Sequence, residues 1–197
     1  MNYTLKNKNF EKKISLMFDR SSKSINDSKT LTKKISITIN QILFSLKNNH
    51  KIILFGNGGS AADAQHMAAE FIGRYKIERE SIPAISLTTD TSIITSIGND
   101  YSFDQVFSRQ CQSLVHDGDI VIAISTSGNS KNIIKGCEIA KKNGAFIISL
   151  TGKTGGSLKP LSDILLNVPS TDTARIQESH RTIIHSICEL VELNFKK

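Results

Sequence analysis

Tryptophan is absent from this 197-residue chain, and proline and cysteine occur three times each. The cysteines, Cys111, Cys137 and Cys188, lie far apart and form no Cys-x-x-Cys pair. That excludes a zinc knuckle and a disulfide framework, and leaves small buried thiols in a reducing compartment. No apolar run approaches the ~20 residues that cross a bilayer. The opening stretch "MNYTLKNKNFEKK" has no apolar core of the signal-peptide type. A cytoplasmic protein without a membrane partner is the expectation. A Walker A loop is missing too: "TGKTGGS" at 151–157 would need a glycine where Ile147 stands, so it reads as a flexible turn.

Acidic residues are the minority charge. Lys and Arg number 25 against 18 Asp and Glu, a net charge of +7. Such a surplus suits a nucleic acid or an anionic small substrate. Many of the lysines, from Lys6 and Lys8 to Lys47 and Lys51, lie in the first 51 residues, scattered among Asn and Ser. No aromatic residues interleave with them as a stacking platform requires, so they read as a solvated face and nucleic acid is not expected as a partner.

What is present is the balance of an ordinary globular domain, 39% hydrophobic and 22% charged residues, in a length suited to one domain with a full core. Ile35, Ile39, Ile42, Leu43 and Leu46 form a helical stripe within a helical region from Asn9 to Asn49. "SINDSKT" should divide that region into two helices, with Asn26 or Asp27 capping the second. Beyond it the pattern changes to short, continuously apolar runs at 51–55, 84–87, 120–125, 145–150 and 163–168. Strands buried on both faces of a parallel sheet look like this. Helix-like segments at 60–72, 90–98, 103–114, 130–142 and 173–195 alternate with them, which predicts a doubly wound α/β domain. Ligands of such sheets bind beyond the carboxyl ends of the strands, so the turns there carry the interest.

The first strand ends in "GNGGSA", Gly56 to Ala61, where glycines let a ligand approach the backbone and Ser60 can cap the next helix. The stretch fits the loose dinucleotide pattern G-x-G-x-x-G/A. The acidic residue such an enzyme needs after its second strand is out of place, however, since Asp90 comes late in "SLTTD". No nucleotide cofactor is expected, and a tight corner alone is the plainer alternative. The third strand ends in "STSGNS", Ser125 to Ser130, whose hydroxyls and amides at a helix start suit a phosphate monoester without a lysine. His66 and Glu70 are four apart and share a helix face, which suits a metal or acid–base work, although such pairs are more often structural. In "RIQESHRTIIH", His185 lies among Ile183, Ile184, Ile187 and Cys188, which makes burial plausible and a shifted acid–base group an even alternative.

Together, "GNGGSAADAQHMAAEFIGRY", "AISLTTDTSIITSIGND", "GDIVIAISTSGNS" and "ARIQESHRTIIH" resemble the sugar isomerase (SIS) domain family, and within it the phosphoheptose isomerases. The resemblance is strong over residues 50–192 and looser over the N-terminal helices. It implies a single SIS domain over 1–197. In it, N-terminal helices (1–49) precede a five-stranded parallel sheet flanked by helices, a flavodoxin-like three-layer sandwich. It further implies a homotetramer with active sites at subunit interfaces. The implied reaction converts sedoheptulose 7-phosphate into D-glycero-D-manno-heptose 7-phosphate, the first step toward activated heptose for lipopolysaccharide core or surface glycans.

By the same resemblance, Ser125, Thr126, Ser127 and Ser130 hold the phosphate. Asn57, Gly58, Gly59, Asn99, Asp100, Glu70 and Gln177 contact the substrate. Glu70 and His185 form the acid–base pair, and His66, Glu70, Gln177 and His185 match positions that bind zinc in some members. One geometric condition attaches to that set. Residues 177 and 185 on one continuous helix differ by ~12 Å in rise, so both reach one ion only if the chain bends or starts its helix late there, or if different subunits contribute.

Two other uses of the domain compete. A non-catalytic tetrameric SIS scaffold that binds the replication initiator protein lacks the catalytic Glu and His, which this chain keeps as Glu70 and His185. A sugar-phosphate sensor would carry a DNA-binding module, and the residues ahead of the first strand show no helix-turn-helix.

Overall fold

The computed structural model describes residues 9–195. Lys6 and Lys8 of the basic N-terminal stretch lie outside the described residues. Helix α1 runs Phe10–Asp27 and α2 runs Thr32–Lys47, joined by a 3₁₀ turn at Ser28–Leu31. Neither Asn26 nor Asp27 caps α2. Its N-cap position is Leu31, without a side-chain bond, and the Asp27 carboxylate instead accepts from Lys23 Nζ at 2.7 Å within α1. The i,i+4 ion pair holds that carboxylate on its own helix.

The apolar runs form β1 (Ile52–Gly56), β2 (Ala84–Ser86), β3 (Ile120–Ser125), β4 (Phe146–Thr151) and β5 (Ile164–Asn167). All pair in parallel in the order β2-β1-β3-β4-β5, with Ile53 set between Ile85 and Val121. Alternation across the pleat explains why the runs are apolar without interruption. Ile52, Leu54, Ile120, Ile122 and Ile124 face one core layer, while Ile53, Phe55, Val121 and Ala123 face the other. The first layer is closed by α2, α3 (Gly59–Ile72) and α7 (Thr173–Asn194). The second is closed by α5 (Val106–Leu114) and α6 (Lys131–Lys142). Between β2 and α5, α4 covers Thr91–Asp100, with not one of its residues buried.

The expected doubly wound sandwich is therefore present. Its strand order places α3, after β1, and α6, after β3, on opposite faces of the sheet. The order in which strands are added reverses between β1 and β3, and the turns after these two parallel strands open the crevice where such sheets bind ligands.

The three cysteines are buried as free thiols, and burial pushes Cys111 and Cys188 up to about 12. No helix among the described residues is long and apolar enough to cross a membrane. The segment "TGKTGGS" is tied down rather than loose. Gly152 N–H donates to the Thr126 carbonyl at 2.9 Å, and Ser157 N–H donates to Asn129 Oδ1 at 2.9 Å.

Candidate active site

The turn after β1 is shaped by Gly58, whose φ of +54° lies where a side chain is strained. Gly58 is the N-cap of α3, and Ser60, buried in the first turn, makes no cap: an expected role that the positive-φ glycine takes instead. The half-buried Asn57 turns toward the neighbouring loop and exchanges two amide hydrogen bonds with Asn132 of α6, each 2.9 Å. This reciprocal pair ties the glycine turn to the hydroxyl loop across the crevice.

In the hydroxyl loop, Gly128 adopts φ +68° and its N–H donates to Ser125 Oγ at 3.2 Å. Ser130 stands at the N-cap of α6, where its carbonyl accepts from Ile134 N–H but its side chain makes no cap bond, its Oγ 3.3 Å from Ser125 Oγ. Its hydroxyl and the helix start are therefore placed to meet an anion. Thr126 and Ser127 border a cavity of ≈ 220 Å³ that is closed by Gly152, Ser170, Thr171 and Thr173, the last at the start of α7.

Helices α3 and α7 lie side by side and run in the same direction, in register one turn after another. At the first level, the amide of Gln177 lies against Gly59, so closely that a Cβ there would sit 2.6 Å from its Nε2. At the second, Arg181 donates to the buried Asp63 at 2.5 Å. At the third, His66 Nε2 and His185 Nε2 are 2.9 Å apart. Glu70, one turn on, brings Oε1 to 3.4 Å from His66 Nε2. The ring of Tyr75 stacks obliquely on His185 with centroids 5.7 Å apart. The His66 pKa lies below its ordinary value because burial disfavours the imidazolium and the Arg181 guanidinium repels it, against the pull of Glu70.

The structure places Asn57, Gly58 and Gly59 beside the Ser125–Ser130 loop, with Gln177 against Gly59, while His66, His185 and Glu70 come together further along the α3–α7 seam, Glu70 about 16 Å in helical rise from Gly59. It does not bring Asn99 and Asp100 to the α3–α7 groups. Both are exposed at the end of α4, where Asn99 Nδ2 donates to Asp100 Oδ1 at 2.8 Å. Asp100 faces a separate cleft with Tyr101 and Arg109. Nor do the four expected zinc ligands meet in one chain. Because α7 is continuous through Gln177 and His185, the rise of ~12 Å between them stands. Among the described residues no group of three or more His, Cys, Asp or Glu side chains is gathered to hold a metal ion. Two imidazole nitrogens do converge, with a carboxylate beside them.

Three residues escaped the sequence reading. Asn132 bridges the two loops, and the Asp63–Arg181 pair locks the helices that carry the histidines. Asp63 and Arg181 fall at helical spacing from His66 and His185, a signal that could have found them. Nothing in the sequence couples Asn132 to a partner 75 positions away.

Residues 18–152 match the family model described as SIS domain. The phosphoheptose isomerase of Geobacter metallireducens is 51% identical over 162 residues, 82% of this chain and 86% of that protein. That of Campylobacter concisus is 51% identical over 174 residues, 88% of this chain and 92% of its own length. Among solved structures, phosphoheptose isomerase GmhA from Neisseria gonorrhoeae superposes with a TM-score of 0.89 at 41% identity, covering 93% of this chain and 99% of that one.

Proposed function

This chain belongs to the SIS-domain family, and on that premise we propose that it is a phosphoheptose isomerase, an aldose–ketose isomerase interconverting sedoheptulose 7-phosphate and D-glycero-D-manno-heptose 7-phosphate. The observation that carries this reading is the convergence of Glu70 and His185 through His66 on the α3–α7 seam. The product would supply the synthesis of activated heptose for lipopolysaccharide core or another surface glycan.

Ketose-to-aldose conversion moves a proton from C1 to C2 and another between the two oxygens. Glu70, half-buried beside His66 on the α3–α7 seam, is the base that removes the carbon-bound proton and returns it to the neighbouring carbon. His185 protonates and deprotonates the enediol oxygens, its ring held by contacts from His66 and Tyr75. Asn57, Gly58, Gly59 and Gln177 orient the sugar chain, and Ser125, Thr126, Ser127 and Ser130 hold the phosphate. Asn99 and Asp100, exposed on a helix without buried residues, reach substrate from a neighbouring subunit of a homotetramer in this reading.

His66, His185 and Glu70 supply nitrogen and carboxylate donors of the kind zinc takes. The two Nε2 atoms stand 2.9 Å apart, so both rings already turn the same nitrogen toward one place where an ion would be held. Gln177 completes that set only from another subunit. Zinc held there would supply Lewis-acid polarisation of the substrate oxygens.

The scaffold reading is weaker, since a binding surface has no chemical need of a carboxylate and an imidazole aligned on one seam. The deciding experiment is a coupled assay for heptose 7-phosphate formation, on wild type and Glu70→Gln, each after chelation and after zinc is restored. Turnover by wild type and its loss in Glu70→Gln is the expected result. A folded, metal-loaded wild type that does not turn over overturns the isomerase reading and puts the scaffold first.

A further inference from the structure

Glu192, near the end of α7, is 2% exposed, yet its carboxylate points neither to solvent nor to the substrate crevice. It accepts three consecutive backbone N–H groups: Tyr75 at 2.7 Å, Lys76 at 2.6 Å and Ile77 at 3.1 Å. The nearly buried Arg79 guanidinium places its Nε 3.3 Å from the same carboxylate. Arg79 then spends its remaining donors on carbonyls: Gly73 at 3.0 Å, Glu80 at 2.9 Å and, at 2.7 Å, Glu70. One buried ion pair therefore shapes the whole turn that leaves α3.

Two products of that shape touch the proposed chemistry. The turn sets Tyr75 so that its ring lies against His185. Arg79 grips the carbonyl of Glu70 itself, in the last turn of α3 where carbonyls otherwise lack helical partners. A buried ion pair is weak evidence of stabilisation, since desolvation can equal the attraction gained. Its place beside the two reacting residues calls for a different account.

We propose that Glu192 and Arg79 are positioning residues for the isomerisation: they fold the 73–80 turn so that Tyr75 braces the His185 imidazole and the end of α3 presents the Glu70 carboxylate. The inference rests on the isomerase reading for its kinetic consequence. The geometric half stands without it. Neither residue touches substrate; both act through Tyr75 and the Glu70 backbone.

The test uses the full-length protein with Glu192→Gln, Arg79→Lys, Tyr75→Ala and Tyr75→Phe. Turnover and KM are measured beside a ¹⁹F spectrum of protein labelled with 3-fluorotyrosine. The chain has three tyrosines, so Tyr75→Phe assigns the Tyr75 signal by its disappearance. A misplacement on the order of 1 Å costs up to ~100-fold in rate, so Glu192→Gln and Tyr75→Ala should lose roughly 10- to 100-fold in kcat with KM little changed. Tyr75→Phe keeps the ring and should keep the rate. The Tyr75 resonance should move in Glu192→Gln while that of Tyr101 stays.

Normal kcat in Tyr75→Ala, a variant of a half-buried residue that should fold, overturns the proposal. So does a Glu192→Gln protein whose Tyr75 signal is unmoved. The fluorine signal tests the clamp even if the wild type proves inactive on heptose phosphate, so the two readings fail separately.

Discussion

His66 and His185 face each other from two helices with their Nε2 atoms 2.9 Å apart. Only one of the two nitrogens can carry the shared proton, and the carboxylate of Glu70 lies 3.4 Å from the same His66 atom. Two imidazole nitrogens with a carboxylate beside one of them are donors of the kind a divalent cation takes. The low pKa of His66 keeps that imidazole neutral, the form that ligates metal.

Zinc or cobalt(II) titrated into chelated protein should therefore bind with a stoichiometry of about one per subunit, in the manner of an N/O site with an open position. His66→Ala and His185→Ala should weaken that binding beyond the ~10- to 100-fold typical of losing an outer partner of a ligand. Calorimetry reads the affinity without any reference to turnover. Unchanged affinity in both variants removes these histidines from the metal site.

Gly59→Ala makes a sharper point about the first level of the α3–α7 register. The new Cβ would stand 2.6 Å from Gln177 Nε2, the far end of a flexible side chain that can move away. Stability should stay within about 0.5 kcal/mol of wild type, as for substitutions that disturb no core contact. KM should rise, because the displaced amide no longer lies over the turn that grips the sugar. Equal KM values in the two proteins would separate Gln177 from substrate binding.

Much of this was legible in advance, for identifiable reasons. The apolar runs that became β1 and β3 could be read because both their faces are buried, and the glycine and hydroxyl turns because their composition departs so far from a neutral loop. Glu70 and His66 were visible through helical spacing. The contact between His66 and His185 was not, since it depends on two helices 119 positions apart lying parallel and in register. Nor was the Glu192 clamp: a glutamate late in an amphipathic helix reads as solvated until the folded turn turns three amides onto it. The misplaced caps, Asp27 and Ser60, failed for a local reason, each being outcompeted by a neighbour's geometry.

Asn132 tests the link between the two loops. Its replacement by leucine removes both 2.9 Å bonds and leaves the half-buried Asn57 amide without its protein partner. Water reaches part of that amide, so urea unfolding should show a loss of about 1 kcal/mol, the low end of the range for a fully buried unsatisfied group. KM should rise as well, since the glycine turn and the phosphate loop would no longer share a fixed spacing. The double variant Asn57→Ala/Asn132→Leu should show less than the sum of the single losses, and strict additivity would deny the coupling.

His180 gives the protein a pH dependence of predictable sign. Its side chain is fully buried in α7, and its Nε2–H donates to the Thr151 carbonyl at 3.1 Å. Its Nδ1 has no hydrogen-bond partner among the described residues. Charging the ring would place a second N–H in an apolar site with nothing to receive it, and burial accordingly pushes the pKa down from 6.5 to about 4. Above 6.5 the ring is neutral whether the chain is folded or not, and it adds no slope. As pH falls from 6.5 to about 4, only the unfolded chain takes up the proton, so stability falls by about 3 kcal/mol; below about 4 the loss levels off. His180→Gln keeps a donor for Thr151 but has nothing to titrate. Unfolding free energies measured on both proteins across this window should diverge as the acid side is approached, with the wild type falling faster. Parallel curves would mean that the imidazole is protonated in the folded state with an acceptor the structure does not give it.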